Sequence, residues 1–75
     1  MWYAVSIMEV GNLVKIVSSD DPAIDSQNVG SLAIITYLIN AHEVEVSIFH
    51  PNGEEEPWIY DHEHLEIVNG TQDNT

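Results

Sequence analysis

The sequence predicts an all-β domain of about five short antiparallel strands. Its apolar residues recur with period two, the spacing of a strand, and no segment has the 3.6-residue period of an amphipathic helix. Turn-forming residues separate the apolar runs at short intervals, as they do in small sandwiches and barrels. The 75 residues can fill one hydrophobic core but not two. We therefore expect a single domain over residues 1–68 and a disordered tail over 69–75.

The first clear strand is predicted over residues 13–17, which are rich in β-branched side chains and follow the turn formers Gly11 and Asn12. The next eleven residues, 18–28, include nearly every turn-forming residue type and predict a long loop. Residues 1–8 leave two alternatives open, because their aromatic and branched side chains could extend the first strand or form an added edge strand.

Two further strands and a hairpin follow. Residues 32–39 form a nearly continuous apolar run, and in residues 43–49 Glu and Ser alternate with Val and Ile, which is typical of a half-buried antiparallel strand. Asn52 and Gly53 then predict a hairpin turn, since both tolerate a positive φ. The hairpin leads into a fourth strand over residues 56–60.

The last predicted elements are a tight turn over residues 61–64, for which a 3₁₀ turn is one option, and a short strand over residues 65–68. Together these elements form an ordered set: a long loop after the first strand, a glycine before the second, an Asn-Gly hairpin before an aromatic strand, and a turn before the last strand.

The layout resembles the SH3-like small β-barrel. The segments that carry the resemblance are GNLVKIV (11–17), NVGSLA (28–33), VEVSIF (44–49), WIY (58–60) and LEIV (65–68). Similar barrels occur in the photosystem I peripheral subunit, the ferredoxin–thioredoxin reductase variable chain, KOW modules and short phage proteins. Their working faces usually carry basic residues, whereas this chain has only Lys15. The resemblance therefore implies the fold, and neither ferredoxin docking nor RNA binding is expected from it.

Charge and composition exclude several classes of function. Thirteen carboxylates stand against Lys15 alone, which gives a net charge of −12 and leaves no cation cluster for nucleic acid or for an anionic membrane. Without cysteine there is no disulfide, thiolate metal site or thiol nucleophile. Phosphate-binding loops and catalytic motifs are also missing from the sequence, so no enzyme is predicted. The chain shows no pattern of a secretory signal, and we expect it in the cytoplasm, or in the host cytoplasm if it is viral.

The acidic hairpin is the predicted partner-binding site. Its five carboxylates are expected within about 5–10 Å of one another across the strand pair, and they are Glu43, Glu45, Glu54, Glu55 and Glu56. One interpretation is a device for solubility and edge protection, and the other is a docking face for a basic partner.

Two aromatic residues complete the predicted site. Strand alternation places Trp58 and Tyr60 on one face and Ile59 on the other. If Ile59 points inward, both aromatic rings face a partner, as at many interfaces. The alternative is that the rings pack in the core or over the end of the barrel.

Metal binding is a weaker interpretation of the histidine and aspartate residues. His62 and His64 share one face of an extended segment, but the sequence fixes no third ligand. Asp20, Asp21 and Asp25 lack the spacing of a calcium loop. We expect Asp20 or Asp21 to cap a turn instead, and we predict no metal or other cofactor.

These observations predict a non-enzymatic acidic interaction module that docks onto a basic protein surface. One alternative is an inhibitor whose carboxylates mimic nucleic acid and occupy the binding groove of a host DNA- or RNA-binding protein. Another is a structural subunit of a virion or larger complex. Neither direct nucleic-acid binding nor membrane binding is expected, and the oligomeric state stays open.

Self-repulsion among the carboxylates predicts that added salt raises the melting temperature. Screening relieves repulsion more in the compact folded state than in the expanded chain. A series of thermal melts from low to near-molar NaCl measures this effect. A constant melting temperature would mean that the carboxylates are dispersed or paired.

Overall fold

The protein is described by a computed structural model that covers residues 8–68. The expectations for residues 1–7 and for the tail over 69–75 lie outside the described residues. In the described part, the elements follow the order β1 (Leu13–Ile16), α1 (Pro22–Asp25), a 3₁₀ turn (Ser26–Asn28), β2 (Leu32–Leu38), β3 (Glu43–Phe49), β4 (Glu55–Asp61), a second 3₁₀ turn (His62–His64) and β5 (Leu65–Ile67). The all-β prediction is confirmed, and the end of each strand lies within one residue of its predicted position.

All five strands belong to one antiparallel sheet with the order β4-β3-β2-β1-β5. The sheet is not closed into the predicted small barrel within residues 8–68, since no backbone pairing joins the edge strands β4 and β5 there. Two features explain the open edges. Pro57 in β4 has no N–H to donate to a ladder, and β5 has only three residues, which already pair with β1.

The connection from β4 to β5 nevertheless requires the sheet to curl. Asp61 ends β4 and Leu65 begins β5, yet these strands lie at opposite edges of five strands. In a flat sheet, four strand spacings would separate the edges by roughly 19 Å. The intervening 3₁₀ turn advances about 2 Å per residue, or about 8 Å over four steps. The connection can reach only if the sheet curls and brings its edges towards each other.

The concave face of the sheet holds the hydrophobic core. Every strand contributes to its nine buried residues: Val14, Ile16, Ala33, Ile35, Val44, Val46, Ile48, Tyr60 and Leu65. Met8, Trp58 and Ile67 are partly buried against this core. Cross-strand register sets Ala33 beside Ile48 and Ile35 beside Val46, so the branched side chains pack in neighbouring pairs.

The predicted loop over residues 18–28 is more ordered than expected, because it contains α1 and a 3₁₀ turn. Capping by Asp21 is confirmed: its side chain accepts a hydrogen bond from the Ala23 N–H at 3.2 Å, and Pro22 begins the helix. The pattern of a helix could not show in the sequence, since a single turn of four residues is too short to display periodicity.

The predicted Asn-Gly hairpin is present between β3 and β4. The carbonyl of His50 accepts from the Gly53 N–H at 2.9 Å, and the Asn52 side chain accepts from the Glu54 N–H at 2.9 Å. Gly53 has a φ of 93°, in the left-handed region that favours glycine. Among the described residues, no helix is long and apolar enough to cross a membrane.

Replacement of Gly53 tests how strongly this turn holds the hairpin. A Cβ at this position would meet no atom within 4 Å, so any cost comes from the backbone alone. We expect Gly53→Ala to lower the free energy of unfolding by about 1–2 kcal/mol, and Gly53→Asn to lower it less, because Asn tolerates the left-handed region. Urea denaturation of the three proteins measures the difference. Equal losses in both variants would contradict the conformational explanation.

Candidate functional site: an acidic groove along β4

The five glutamates of the predicted site form two groups, not one. Register places Glu43 opposite Asp61 at one end of the β3–β4 hairpin and Glu55 opposite Phe49 at the other end. Six strand residues separate these ends by about 20 Å. The expectation that all five carboxylates lie within about 5–10 Å is therefore wrong. Alternation and turn signals in the sequence predict which residues share a face of a strand. They do not give the distance between two residues that lie at opposite ends of that strand.

Three of the predicted glutamates lie at or near the hairpin turn. Glu54 is exposed in the turn, and Glu55 accepts a hydrogen bond from the Ser47 hydroxyl at 2.9 Å. Glu56 lies 2.8 Å from Nε2 of His50. In the middle of β3, Glu45 accepts from the Thr36 hydroxyl at 3.3 Å. Their role in partner binding stays a prediction.

A groove with a volume of about 340 Å³ lies between β4 and the segment around α1. It brings together six carboxylates from three parts of the chain and a set of larger side chains from β4 and its neighbours. The carboxylates belong to Asp20, Asp21, Asp25, Glu43, Asp61 and Glu63. The other lining residues are Ile24, Trp58, Ile59, Tyr60 and His64.

The charge of the groove is not balanced by a basic side chain. Lys15 is the chain's single Lys or Arg residue, and it lies in β1 between Leu32 and Glu66, outside the groove lining. The side chains of Asp20 and Glu63 are 86% and 72% exposed, so they are accessible to a partner. The groove therefore presents a concentrated negative field in a concave surface.

The two predicted aromatic residues form the inner wall of the groove. Tyr60 is only 2% exposed and belongs to the core, whereas Trp58 is half-buried. Their rings stack with centroids 6.5 Å apart. Ile59 points the other way and is 55% exposed. The alternative with Ile59 inward and both rings outward is thus wrong, and of the pair only Trp58 offers accessible ring surface.

A buried polar network holds the α1 segment against β4. Asp25 and Asn28 are almost completely buried. The Ser19 hydroxyl donates to the Asp25 carboxylate, and the Asn28 amide donates to the Tyr60 hydroxyl at 3.3 Å. The bond from Ser19 lowers the pKa of Asp25 below its ordinary value of 3.8, against the opposing effect of burial. Asp25 is thus charged at neutral pH and serves the fold more than the surface.

His64 forms one end of the groove. Its Nδ1 lies 2.7 Å from the Ser18 hydroxyl, and its ring meets Tyr60 edge-on. Nε2 lies 3.7 Å from a carboxylate oxygen of Asp20 and 3.9 Å from one of Glu63. The imidazole thereby links the start of the α1 segment to the second 3₁₀ turn, and it faces two of the groove's carboxylates.

Of the six groove carboxylates, the sequence predicts only Glu43 as a site residue and misses five, namely Asp20, Asp21, Asp25, Asp61 and Glu63. From the sequence, Asp20 or Asp21 is expected to cap a turn in the loop that contains Asp25, and Asp61 and Glu63 are expected in a tight turn. These residues lie in the segment that follows β1, at the end of β4, or in the 3₁₀ turn that follows β4. Their positions indicate a site only when the pairing of β1 with β5 is known, because this pairing sets the segment after β1 beside the 3₁₀ turn before β5.

No group of three or more His, Asp or Glu side chains within residues 8–68 is arranged to hold a metal ion. Comparisons with protein-family models, with curated proteins and with solved structures find no match for this chain.

Because Tyr60 is buried, we expect the free energy of unfolding to fall at alkaline pH. Burial raises the pKa of Tyr60 from 10.0 to about 12, so the unfolded chain loses this proton first. The stabilising contribution is complete below pH 10 and is lost as the pH rises towards 12. We expect Tyr60→Phe to lack this part of the pH dependence and the exposed-site control Tyr37→Phe to keep it. Urea midpoints between pH 8 and 11.5 provide the measurement, and identical slopes in wild type and Tyr60→Phe would contradict it.

Proposed function

We propose that this protein is a non-enzymatic interaction module that binds a basic, extended segment of a partner protein in the groove along β4. The observation that carries the proposal is the convergence of Trp58 and five carboxylates that are not buried on one concave surface without a compensating Lys or Arg. Like charges held together destabilise the free protein, so a basic ligand that neutralises them gains binding energy from the relief of repulsion.

Electrostatics would act mainly on how quickly and how selectively the partner binds. A negative groove attracts cationic segments from a distance and repels acidic ones, which raises the association rate at low salt. Exposed pairs between carboxylates and Lys or Arg contribute little affinity each. The proposed ligand therefore needs several basic residues, spaced so that they reach Asp20, Asp61 and Glu63.

Trp58 would supply the contact that charge alone cannot. Its half-buried ring is fixed by stacking on Tyr60 and by packing against the core. A rigid aromatic ring costs little conformational entropy on binding, and it offers a surface for aliphatic stems and for guanidinium groups. Arg is thus the preferred basic residue beside Trp58.

We also infer that the fold is of the SH3-like kind. Support comes from the five-stranded antiparallel order, the long segment between β1 and β2, the hairpin between β3 and β4, and the 3₁₀ turn before β5. The fold by itself carries no function, since such small barrels support unrelated activities.

The test compares two variants of equal charge. The groove variant carries Asp20→Asn, Asp61→Asn and Glu63→Gln, and Asn at position 61 keeps the oxygen that caps the Glu63 N–H. The tip variant carries Glu54→Gln, Glu55→Gln and Glu56→Gln. Both lose three negative charges, so they differ only in where the charge is removed.

The probe is a fluorescein-labelled twelve-residue peptide of alternating Arg and Pro, measured by fluorescence anisotropy. We expect Kd to rise at least tenfold in the groove variant, mainly through slower association, and less than threefold in the tip variant. In Trp58→Phe, which keeps an aromatic ring, affinity should fall less than in Trp58→Ala. A larger loss in the tip variant would favour the predicted acidic hairpin instead, and equal small losses in both would reject the groove.

A further inference from the structure

The convex face of the sheet carries a cluster of apolar side chains on β1, β2 and β3, and polar positions separate it from Tyr37 and Ile59. Strand register places Leu13 beside Ile34, and Tyr37 and Ile59 on either side of Glu45. Ala33 pairs with Ile48, so the next positions along the two strands, Leu32 and Phe49, lie across from each other. The exposed apolar residues lie on the side of the sheet opposite the core. Strand pairing thus sets the residues of this cluster side by side, so they are not scattered single exposures.

The exposure of these side chains is high for residues of their size. Tyr37 is 62% exposed, Ile59 55%, Leu32 42% and Phe49 39%. Single exposed apolar residues need no explanation, but contiguous apolar patches on small domains usually mark interaction sites. The core does not need these side chains, since it lies on the other face.

Carboxylates lie beside the apolar cluster on three sides. Glu55 on β4 pairs with Phe49 on β3, and Glu66 on β5 pairs with Lys15 on β1. Glu45 on β3 lies between Tyr37 and Ile59. Lys15 is the single basic side chain among them. The combination of an apolar centre and an acidic margin requires an occupant that is apolar where it meets the sheet and basic at its sides.

A second copy of the chain does not meet this requirement. Each copy has a net charge of −12 and would bring its own acidic margin to the contact. Addition of a strand does not use the face of a sheet, because it occurs at an edge through backbone groups. A helix with one apolar stripe and flanking Lys or Arg residues covers a sheet face and complements its margin.

We propose that the convex face binds an amphipathic basic helix of a partner protein. This interaction goes beyond the proposed groove function, because it uses a different surface and a helical ligand in place of an extended one. Ile59 lines both surfaces, so the test leaves it unchanged.

The test uses a synthetic eighteen-residue peptide of Leu and Lys whose leucines form one helical stripe. A control peptide has the same composition in scrambled order, so its charge is equal but its apolar stripe is lost. The convex-face variant carries Leu32→Thr and Phe49→Thr, and Thr keeps the strand propensity of both positions. The control variant carries Val10→Thr and Val29→Thr, which remove apolar area at exposed turn positions. Circular dichroism and thermal melts check folding, and Phe49→Thr alone replaces the double variant if that one unfolds.

We expect the ordered peptide to bind at least tenfold more tightly than the scrambled one. Its Kd should rise at least tenfold in the convex-face variant, less than twofold in the control variant, and less than threefold in the groove variant, which lacks three negative charges. Amide shifts in NMR spectra should map to β1, β2 and β3. Equal binding of both peptides, unchanged binding by the convex-face variant, or shifts confined to the groove would overturn the proposal. So would a dimer in sedimentation experiments that the convex-face variant disrupts, because the occupant would then be a second copy. Failure here with success of the Arg-Pro peptide would leave the groove proposal intact.

Discussion

The short passage from β4 to β5 is the constraint on which the rest of the structure depends. Four residue steps connect strands at opposite edges of the sheet, so the sheet must curl around its own side chains. The curl lets one sheet bury nine apolar residues without a second layer. It also brings β4 towards the α1 segment, which follows β1. The core and the groove therefore have the same origin.

The groove keeps its shape because buried polar side chains beneath it are joined by hydrogen bonds. Tyr60 contributes its ring to the core and its hydroxyl to the network with Asn28 and Asp25. Ser19, which precedes α1 in the chain, adds a hydrogen bond to Asp25. An unpartnered carboxylate at the position of Asp25 would destabilise the fold, so the segment is held where its exposed neighbours face β4.

The strands could be predicted from sequence because each depends on a local pattern. The alternation over 43–49 gives the faces of β3, and Asn52 with Gly53 gives the hairpin. The acidic groove could not be predicted in this way. Asp20 and Glu63 are 43 positions apart, and they meet around His64 because β1 pairs with β5, which sets the residues after β1 beside those before β5. The predicted glutamate group was wrong for a related reason, since hairpin pairing brings opposite residues together but keeps the two ends of a strand apart.

The two proposed surfaces have the same sign of charge but differ in shape and in apolar content. Repulsion among the carboxylates acts against folding at both, so each surface lowers the stability of the free protein. The surfaces are not independent, because Ile59 borders the groove and also belongs to the convex face. A ligand that buries Ile59 from one side removes that contact from the other, while neutralisation of Glu43 or Asp61 reduces the field that attracts a second basic ligand. Both effects have the same sign. Each basic ligand is therefore expected to bind more weakly to protein that already holds the other ligand than to the free protein.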